Sequence, residues 1–206
     1  MTRLRLGQTG VALTVLLVGL TLADEPGFVS LFDGKTLAGW TLEHTNRFAV
    51  RDGVIVNDGG TGWLRSEKRY KNFELEAEYR VVNKGGDSGI FFRATTESAP
   101  DDPHWPVRGY QLQVSDSEDN FKVFGHGTPP PTSERRSADL KSAMKGAGEW
   151  QQIRLKVVGM HVEASLNGVP VTVSDVVTLP EGHLGLQAER GQFEWRSLRI
   201  RELPAP

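Results

Sequence analysis

The segment Phe73-Glu-Leu-Glu-Ala-Glu-Tyr-Arg-Val81 decides the fold class of this 206-residue chain. Apolar and charged residues alternate along it, and successive side chains of a strand point to opposite faces of a sheet. One apolar and one charged face is typical of an antiparallel sheet that packs on a core on one side only. We therefore expect Glu74, Glu76 and Glu78 to form a solvated convex surface.

Further strands with turn signals follow along the chain. A hairpin is predicted around Asn167-Gly168, between Val162–Leu166 and Val169–Val173, because Asn-Gly suits a two-residue turn. Between Ser115 and Gly148 the pattern breaks down, and we expect a long loop with a short helix over 137–144. The ten to twelve strands counted in this way predict an all-β fold, an antiparallel sandwich of two sheets.

The N-terminus has the pattern of a secretory leader. Arg3 and Arg5 precede the apolar run 11–20, and Ala23 supplies a small residue for cleavage. The run is too short for a comfortable membrane span, so we expect a signal peptide over 1–23 and export to the periplasm or the medium. A single domain is then predicted over 24–203 with a tail over 204–206, and no membrane span is expected after the leader.

The amino-acid composition limits which disulfides, metals and binding partners can be expected. The chain has no cysteine, so a disulfide framework is excluded. The net charge is −2, and the sequence shows no strongly basic face of the kind that binds nucleic acid, so no nucleic-acid partner is expected. The acidic stretch 116–120 offers hard oxygen ligands for calcium, but its spacing does not match an EF-hand loop and favours a solvated turn. No metal and no cofactor is therefore predicted, and the sequence leaves the oligomeric state open.

A series of segments, in this order, resembles the 3-keto-disaccharide hydrolase domain family. The matching segments span nearly the whole predicted mature chain: Phe28–Trp40, Phe48–Val56, Gly62–Tyr70, Phe73–Arg80, Asp87–Arg93, Gly109–Val114, Gly148–Trp150, Leu166–Gly168, Gly185–Gln187 and Phe193–Leu203. The resemblance implies a jelly-roll sandwich of the concanavalin A type with a small sugar bound on its concave face. Two departures stand out: family members commonly carry a glutamate where this chain has Gln111, and 116–145 matches poorly.

The stretch Gly85-Gly-Asp-Ser-Gly-Ile-Phe-Phe-Arg93 supplies the first candidate site residues. Strand alternation places Gly89, Phe91 and Arg93 on one face, which we interpret as part of a groove floor. The alternative is an ordinary arginine at the rim of a sheet, paired with a structural acid, and this segment alone favours the alternative. Arg93, Asp87 and His126 are the predicted catalytic residues; His126 lies in a loop and titrates in a useful range.

Sugar sites combine aromatic ring faces with forked polar groups. Gln111 and Gln113 share one strand face, and Arg65 follows Trp63 at the spacing that puts both on one face. The predicted substrate-binding residues are therefore Arg65, Trp63, Gln111, Gln113 and Gln187. Trp105 is a further platform candidate, whereas Trp40, Trp150 and Trp195 are expected in the core.

The chemistry implied by the resemblance differs from ordinary glycoside hydrolysis, which needs two carboxyl groups across the bond. A 3-keto group acidifies the C2 proton, so a base can remove it and the resulting enolate can expel the glycosidic oxygen. The leading hypothesis is an exported protein that cleaves 3-keto-glycosides. A non-catalytic lectin-like module, which Gln111 in place of an acid would suit, is the alternative, and a structural envelope protein is a third possibility.

Overall fold

The fold is described by a computed structural model that covers residues 25–98, 102–175 and 177–206. The predicted leader over 1–23 lies outside the described residues. Within them the chain forms strands almost throughout, with one short helix, α1 (Ser137–Ala143). In chain order the strands are β1 (Val29–Ser30), β2 (Trp40–Glu43), β3 (Phe48–Arg51), β4 (Val54–Asn57), β5 (Trp63–Tyr70), β6 (Phe73–Val81), β7 (Asp87–Ala94), β8 (Gly109–Ser115), β9 (Val123–His126), β10 (Thr132–Arg135), β11 (Gln151–Val158), β12 (His161–Leu166), β13 (Val169–Asp175), β14 (Gly182–Gln187) and β15 (Phe193–Glu202).

The strands form two antiparallel sheets packed face to face, and the prediction of an all-β sandwich is confirmed. The nine-stranded sheet has the order β10-β13-β12-β11-β6-β15-β4-β3, with β1 added to β15. The six-stranded sheet has the order β2-β5-β14-β7-β8-β9. Strands that are distant in sequence are therefore neighbours in space, as in a jelly roll.

The core lies between the sheets and follows the predicted alternation. Leu75, Ala77 and Tyr79 of β6 face it from the nine-stranded sheet, and Ile90 and Phe92 of β7 face it from the other. Trp40 and Trp195 belong to this core, as expected. Trp150 does not, because it lies against the guanidinium groups of two arginines on the sheet surface.

The glutamates of β6 are less solvated than the sequence suggested. Glu74 and Glu76 are only 7% and 4% exposed, because arginines from neighbouring strands cover them. Arg154 of β11 lies 3.2 Å from Glu76, and Arg199 of β15 lies 2.6 Å from the same carboxylate. We call this set, together with the Arg201–Glu74 pair at 2.5 Å, the arginine–glutamate ladder.

The segment between Ser115 and Gly148 is more regular than expected. It contains β9, which extends the six-stranded sheet, and β10, which extends the nine-stranded sheet. The predicted helix is present as α1. Both strands are four residues long and lie at sheet edges, where each pairs with one neighbour only.

Candidate functional site

The candidate site lies on the face of the six-stranded sheet that points away from the core, which we call the site face. Residues paired across neighbouring strands share a face, so the register identifies its members. Gly185 pairs with Arg65 on one side and with Phe91 on the other, and Phe91 in turn pairs with Gln111. Gln111 then pairs with Phe124 of the edge strand β9.

Two glycines allow larger side chains to lie flat on this face. A Cβ atom at Gly89 would come within 2.4 Å of the Gln111 carboxamide nitrogen, and one at Gly185 would come within 2.2 Å of the Trp63 ring. Any side chain at these two positions would displace its neighbour. The close approach that the sequence suggested for glycine is thus made by Gln111 and Trp63, which form the floor of the site.

Three glutamines and two acids form one hydrogen-bonded cluster, which with His126 we call the polar network. Gln111 Nε2 donates to Gln113 Oε1 at 2.7 Å and to Gln187 Oε1 at 2.8 Å. Gln113 Nε2 donates to Asp87, and Gln187 Nε2 donates to Glu189 Oε2 at 2.8 Å. The structure thus brings three predicted substrate-binding residues, Gln111, Gln113 and Gln187, together with Asp87, which was predicted as catalytic.

The glutamines are poorly accessible. Gln111 and Gln187 are each 4% exposed and Gln113 is 8% exposed, and their amides bond mainly to one another and to the acids. In this arrangement they resemble a supporting layer more than groups that present themselves to sugar hydroxyls. The members of the network that are less buried are His126, Asp87 and Glu189.

The two carboxylates lie at the end of β14 and the start of β7. Burial raises the pKa of Asp87, while the charge of Arg190, 3.2 Å away, and the Gln113 hydrogen bond oppose that shift. Burial also raises the pKa of Glu189, and the charge of Asp87 adds to it. Sequence reasoning missed Glu189, although its spacing of two residues from Gln187 was a signal for the same face.

His126 completes the network. Its Nε2 lies 2.9 Å from Gln111 Oε1, and its ring packs edge-on against Phe91 with centroids 5.2 Å apart. Burial lowers the pKa of His126 below the ordinary value of 6.5, an effect that the nearby charge of Asp102 partly opposes. At neutral pH the imidazole is therefore uncharged and has a lone pair that can accept a proton.

Aromatic side chains border the polar network. Trp63 packs on Phe91 at 5.3 Å between centroids, and Trp105, from the β7–β8 connection, packs on Phe91 at 6.1 Å. Trp63 is only 2% exposed, so it offers little open ring surface. Phe124, which sequence reasoning did not select, is 39% exposed on the same face.

Arg65 lies on the site face but outside the polar network. Its Nε donates to Glu43 Oε1 at 2.6 Å, and its Nη1 lies 3.4 Å from His183 Nδ1. A third bond goes from Nη1 to the Ser66 carbonyl. Arg65 is therefore a fixed cation on this face, compensated by one carboxylate.

Arg93 is not on the site face, so its predicted position is wrong. Phe92 and Arg93 together oppose the single residue Leu184 of β14, because the strand pairing shifts there, and Arg93 has a φ of 49°. This bulge reverses the alternation and returns Ala94, instead of Arg93, to the face of Trp63.

The guanidinium of Arg93 forms hydrogen bonds with backbone carbonyls at one end of the sandwich. It donates to Lys71 O at 2.8 Å, Gly159 O at 2.7 Å and Leu179 O at 2.7 Å. The side chain joins three connections that belong to different strand pairs. Its position is that of a structural residue, and it makes none of the hydrogen bonds of the polar network.

The acidic stretch 116–120 is occupied with local bonds. Asp116 Oδ2 accepts from the Gly85 amide at 2.6 Å, and Asp119 pairs with Lys122. Over residues 25–98, 102–175 and 177–206, no three histidine, aspartate or glutamate side chains are grouped as metal ligands.

In the same part of the chain, no helix has the length and apolar character that crossing a membrane requires.

Comparison with known proteins gives a consistent result. The model of the 3-keto-alpha-glucoside-1,2-lyase-like domain family matches residues 27–201. A 3-keto-disaccharide hydrolase of Bacteroides thetaiotaomicron is 30% identical in an alignment of 162 residues that covers 65% of this chain and 53% of that protein. The chain thus spans about half the length of this curated relative.

Solved structures agree on the fold. A protein of Parabacteroides distasonis, described by its solvers as a candidate glycosyl hydrolase, superposes with a TM-score of 0.64 at 20% identity, covering 86% of this chain and 94% of its own. A carbohydrate-binding module of Bacillus subtilis superposes with a TM-score of 0.59 at 17% identity, covering 80% and 96%. At these identities the likeness concerns the sandwich alone.

Proposed function

The chain belongs to the 3-keto-alpha-glucoside-1,2-lyase-like domain family, and from this premise we propose that it cleaves 3-keto-glycosides on the site face. The name of its Bacteroides relative, a 3-keto-disaccharide hydrolase, supports a disaccharide as the substrate class. The observation that carries the proposal is His126: a partly buried imidazole held at Nε2 by Gln111 on this face, with a pKa that burial lowers.

The chemistry requires one base and no covalent intermediate with the protein. A base removes the C2 proton, and the electrons of that bond form the enolate with the C3 ketone. The enolate then reforms the ketone, a double bond forms between C1 and C2, and the C1–O bond breaks with its electron pair on the departing oxygen. Addition of water, with hydroxide to C1 and a proton to C2, completes a net hydrolysis.

The described residues offer a group for each part of this sequence. His126 is the candidate base, and once protonated it can give the proton to the departing oxygen. Arg65 is the fixed cation of the site face and the remaining arginine candidate for the enolate oxygen, since Arg93 lies elsewhere. Phe124 and Trp105 offer the more accessible ring surfaces against which a pyranose could stack.

Turnover of 3-keto-trehalose and 3-keto-sucrose by the wild type and by His126→Gln tests the proposal. We expect the wild type to release both sugars and the variant to be slower by about 100-fold or more, the usual contribution of a positioned base. Deuterium at C2 of the substrate should slow the wild type. Equal rates in the two proteins would remove His126 from the mechanism.

A lectin-like module is the second candidate function. The specific observation that favours it is the neutral carboxamide of Gln111 at the centre of the network, where family members commonly have a glutamate. Calorimetric titration with the same sugars distinguishes the two functions. Saturable binding with no product over a long incubation would favour the module.

We also propose that residues 1–23 direct export and are then removed. The support is the order of Arg3 and Arg5, the apolar run 11–20 and Ala23 in the sequence. Expression of the full chain with N-terminal sequencing of the secreted or periplasmic product is the test. Retention of the full-length chain in the cytoplasm would contradict the proposal.

A further inference from the structure

The donors and acceptors of the polar network follow one order, and the two carboxylates fix that order. An ionised carboxylate only accepts hydrogen bonds, whereas a carboxamide has a donating and an accepting end. Gln113 must therefore turn its nitrogen toward Asp87, and Gln187 must turn its nitrogen toward Glu189, as the structure shows. Both glutamine oxygens then point to the same third residue, Gln111.

Gln111 must donate a hydrogen bond to each of two oxygens, Gln113 Oε1 and Gln187 Oε1. Its Nε2 has two N–H groups, and these are used at 2.7 Å and 2.8 Å toward Gln113 and Gln187. The opposite end of the same carboxamide is an oxygen, and that oxygen faces His126 Nε2 at 2.9 Å. Because an amide oxygen accepts, the nitrogen of His126 that faces it has to carry a proton.

We propose that Asp87 and Glu189 are positioning residues that select the Nε2–H tautomer of His126 through three glutamine amides, and so leave Nδ1 as its basic nitrogen. A neutral imidazole has one N–H, so a proton fixed on Nε2 places the lone pair on Nδ1. The tautomer assignment follows from the network alone. Its use in catalysis rests on the proposed function.

The network also implies that either carboxylate is sufficient by itself. With Glu189 neutral, rotation of the Gln187 amide would bring its nitrogen against the nitrogen of Gln111, where two donors would face each other. Asp87, through Gln113, still holds Gln111 in place, so the original orientation persists. Both acids must become neutral before the three amides can reverse together.

Imidazole tautomers are read directly by long-range proton–nitrogen correlation spectra of nitrogen-15-labelled protein at pH 7. The signals of His126 are identified by their loss in His126→Gln. We expect the Nε2–H pattern for the wild type and for each single variant, Asp87→Asn and Glu189→Gln. In the double variant the ratio of the two tautomers should fall by roughly tenfold, the ratio that one net hydrogen bond sustains.

The matched control is Glu43→Gln, which removes a carboxylate from the same face outside the polar network and should leave the His126 spectrum unchanged. If the double variant does not fold, Gln111→Met interrupts the relay while both acids remain, and the same fall in the ratio is expected. An Nδ1–H pattern in the wild type would overturn the proposal. An unchanged ratio in whichever of the two variants folds, or a fall already in a single variant, would also overturn it.

The spectra need no substrate, so their result is separate from that of the turnover assay. If the wild type also cleaves a 3-keto-glycoside, we expect the double variant to lose kcat by about tenfold, with a smaller effect on KM. Tautomer selection without turnover by any variant would uphold this inference and reject the proposed function. Turnover that does not change when the tautomer ratio falls would reject the catalytic use of Nδ1.

Discussion

The carboxamide of Gln111 lies directly over the α-carbon of Gly89, so close that a Cβ atom there would stand 2.4 Å from Gln111 Nε2 and 2.8 Å from its carboxamide carbon. This relationship joins strand β7 to the centre of the polar network. A methyl group at Gly89 is therefore a small change that acts on the site and on little else.

Gly89→Ala should displace the Gln111 carboxamide and reduce turnover of a 3-keto-glycoside by about tenfold or more, because small displacements of positioned groups are costly to catalysis. The melting temperature should change by only a few degrees, since the displaced atoms belong to a flexible side chain. Thermal unfolding and steady-state kinetics measure the two effects. Gly146→Ala, on an exposed loop with ordinary contact distances, is the matched control. A site variant with full activity would place the function away from Gln111.

Arg93→Ala should destabilise the fold by about 1–3 kcal/mol, because it leaves partly buried carbonyls of three connections without their donor. Arg93→Lys should lower the free energy of unfolding by less, since an ammonium group can donate to some of these carbonyls but lacks the forked geometry of a guanidinium. Urea unfolding at pH 7 gives both values. Activity per folded molecule should stay near that of the wild type. A stable but inactive Arg93→Ala would return this residue to the catalytic mechanism.

The pH dependence of kcat/KM should show an acidic limb below pH 6.5. Burial lowers the pKa of His126 from its ordinary 6.5, so the imidazole remains neutral, and able to accept a proton, at pH values where a free histidine is already charged. Rates measured from pH 4 to 8 locate this limb. A midpoint above 6.5 would contradict the assignment of His126 as the base.

Glu189→Gln should be more stable than the wild type at pH 7, with a difference that shrinks as the pH falls toward 4.5. Burial and the charge of Asp87 raise the folded-state pKa of Glu189 above 4.5, so between these two pKa values the folded protein holds more protons than the unfolded chain. Stability is therefore lost as the pH rises through that window. Urea unfolding at pH 4 and pH 7 tests the sign, and Glu67→Gln, at an exposed position of β5, controls for simple charge removal. A variant less stable at pH 7 than the wild type would show that the carboxylate stabilises the fold.

Gln111→Glu should be destabilised by about 1–3 kcal/mol at pH 7, because a carboxylate would face the oxygens of Gln113 and Gln187 without a donor between them. The loss should be smaller at pH 5, where a protonated carboxyl can donate one hydrogen bond. Unfolding at the two pH values measures it. An equally stable variant would indicate that the flanking amides reverse freely.

Local alternation was enough to predict the two-sheet architecture. The period-two pattern of β6 and the Asn167-Gly168 turn each depend on a few neighbouring residues, and both are present in the structure. The edge strand β9 pairs with the preceding strand β8 and was missed because its four residues are too few to show an alternation. The edge strand β10 was missed because it pairs with β13, which lies far along the chain. The burial of Glu74 and Glu76 was missed for the same reason, since the arginines that cover them come from β11 and β15.

The site residues also divide into those that neighbouring residues predict and those that depend on distant parts of the chain. The shared face of Gln111 and Gln113 follows from spacing alone, whereas the exclusion of Arg93 depends on a bulge at a residue with positive φ that is not a glycine. Nothing in the local sequence marks that bulge. The connection of Gln187 to Glu189 was within reach of the spacing argument, but the sequence does not show which acids the folded sheet brings to the network.

The arginine–glutamate ladder has a consequence for the conditions that this protein can withstand. It links β6, β11 and β15 by charge in a chain that has no thiol anywhere. Reducing agents have nothing to break in it, and dissolved ions reach partly buried pairs far less than exposed ones. The protein should therefore refold from denaturant without an oxidant or a disulfide isomerase, and it should keep its fold at both low and high salt concentration.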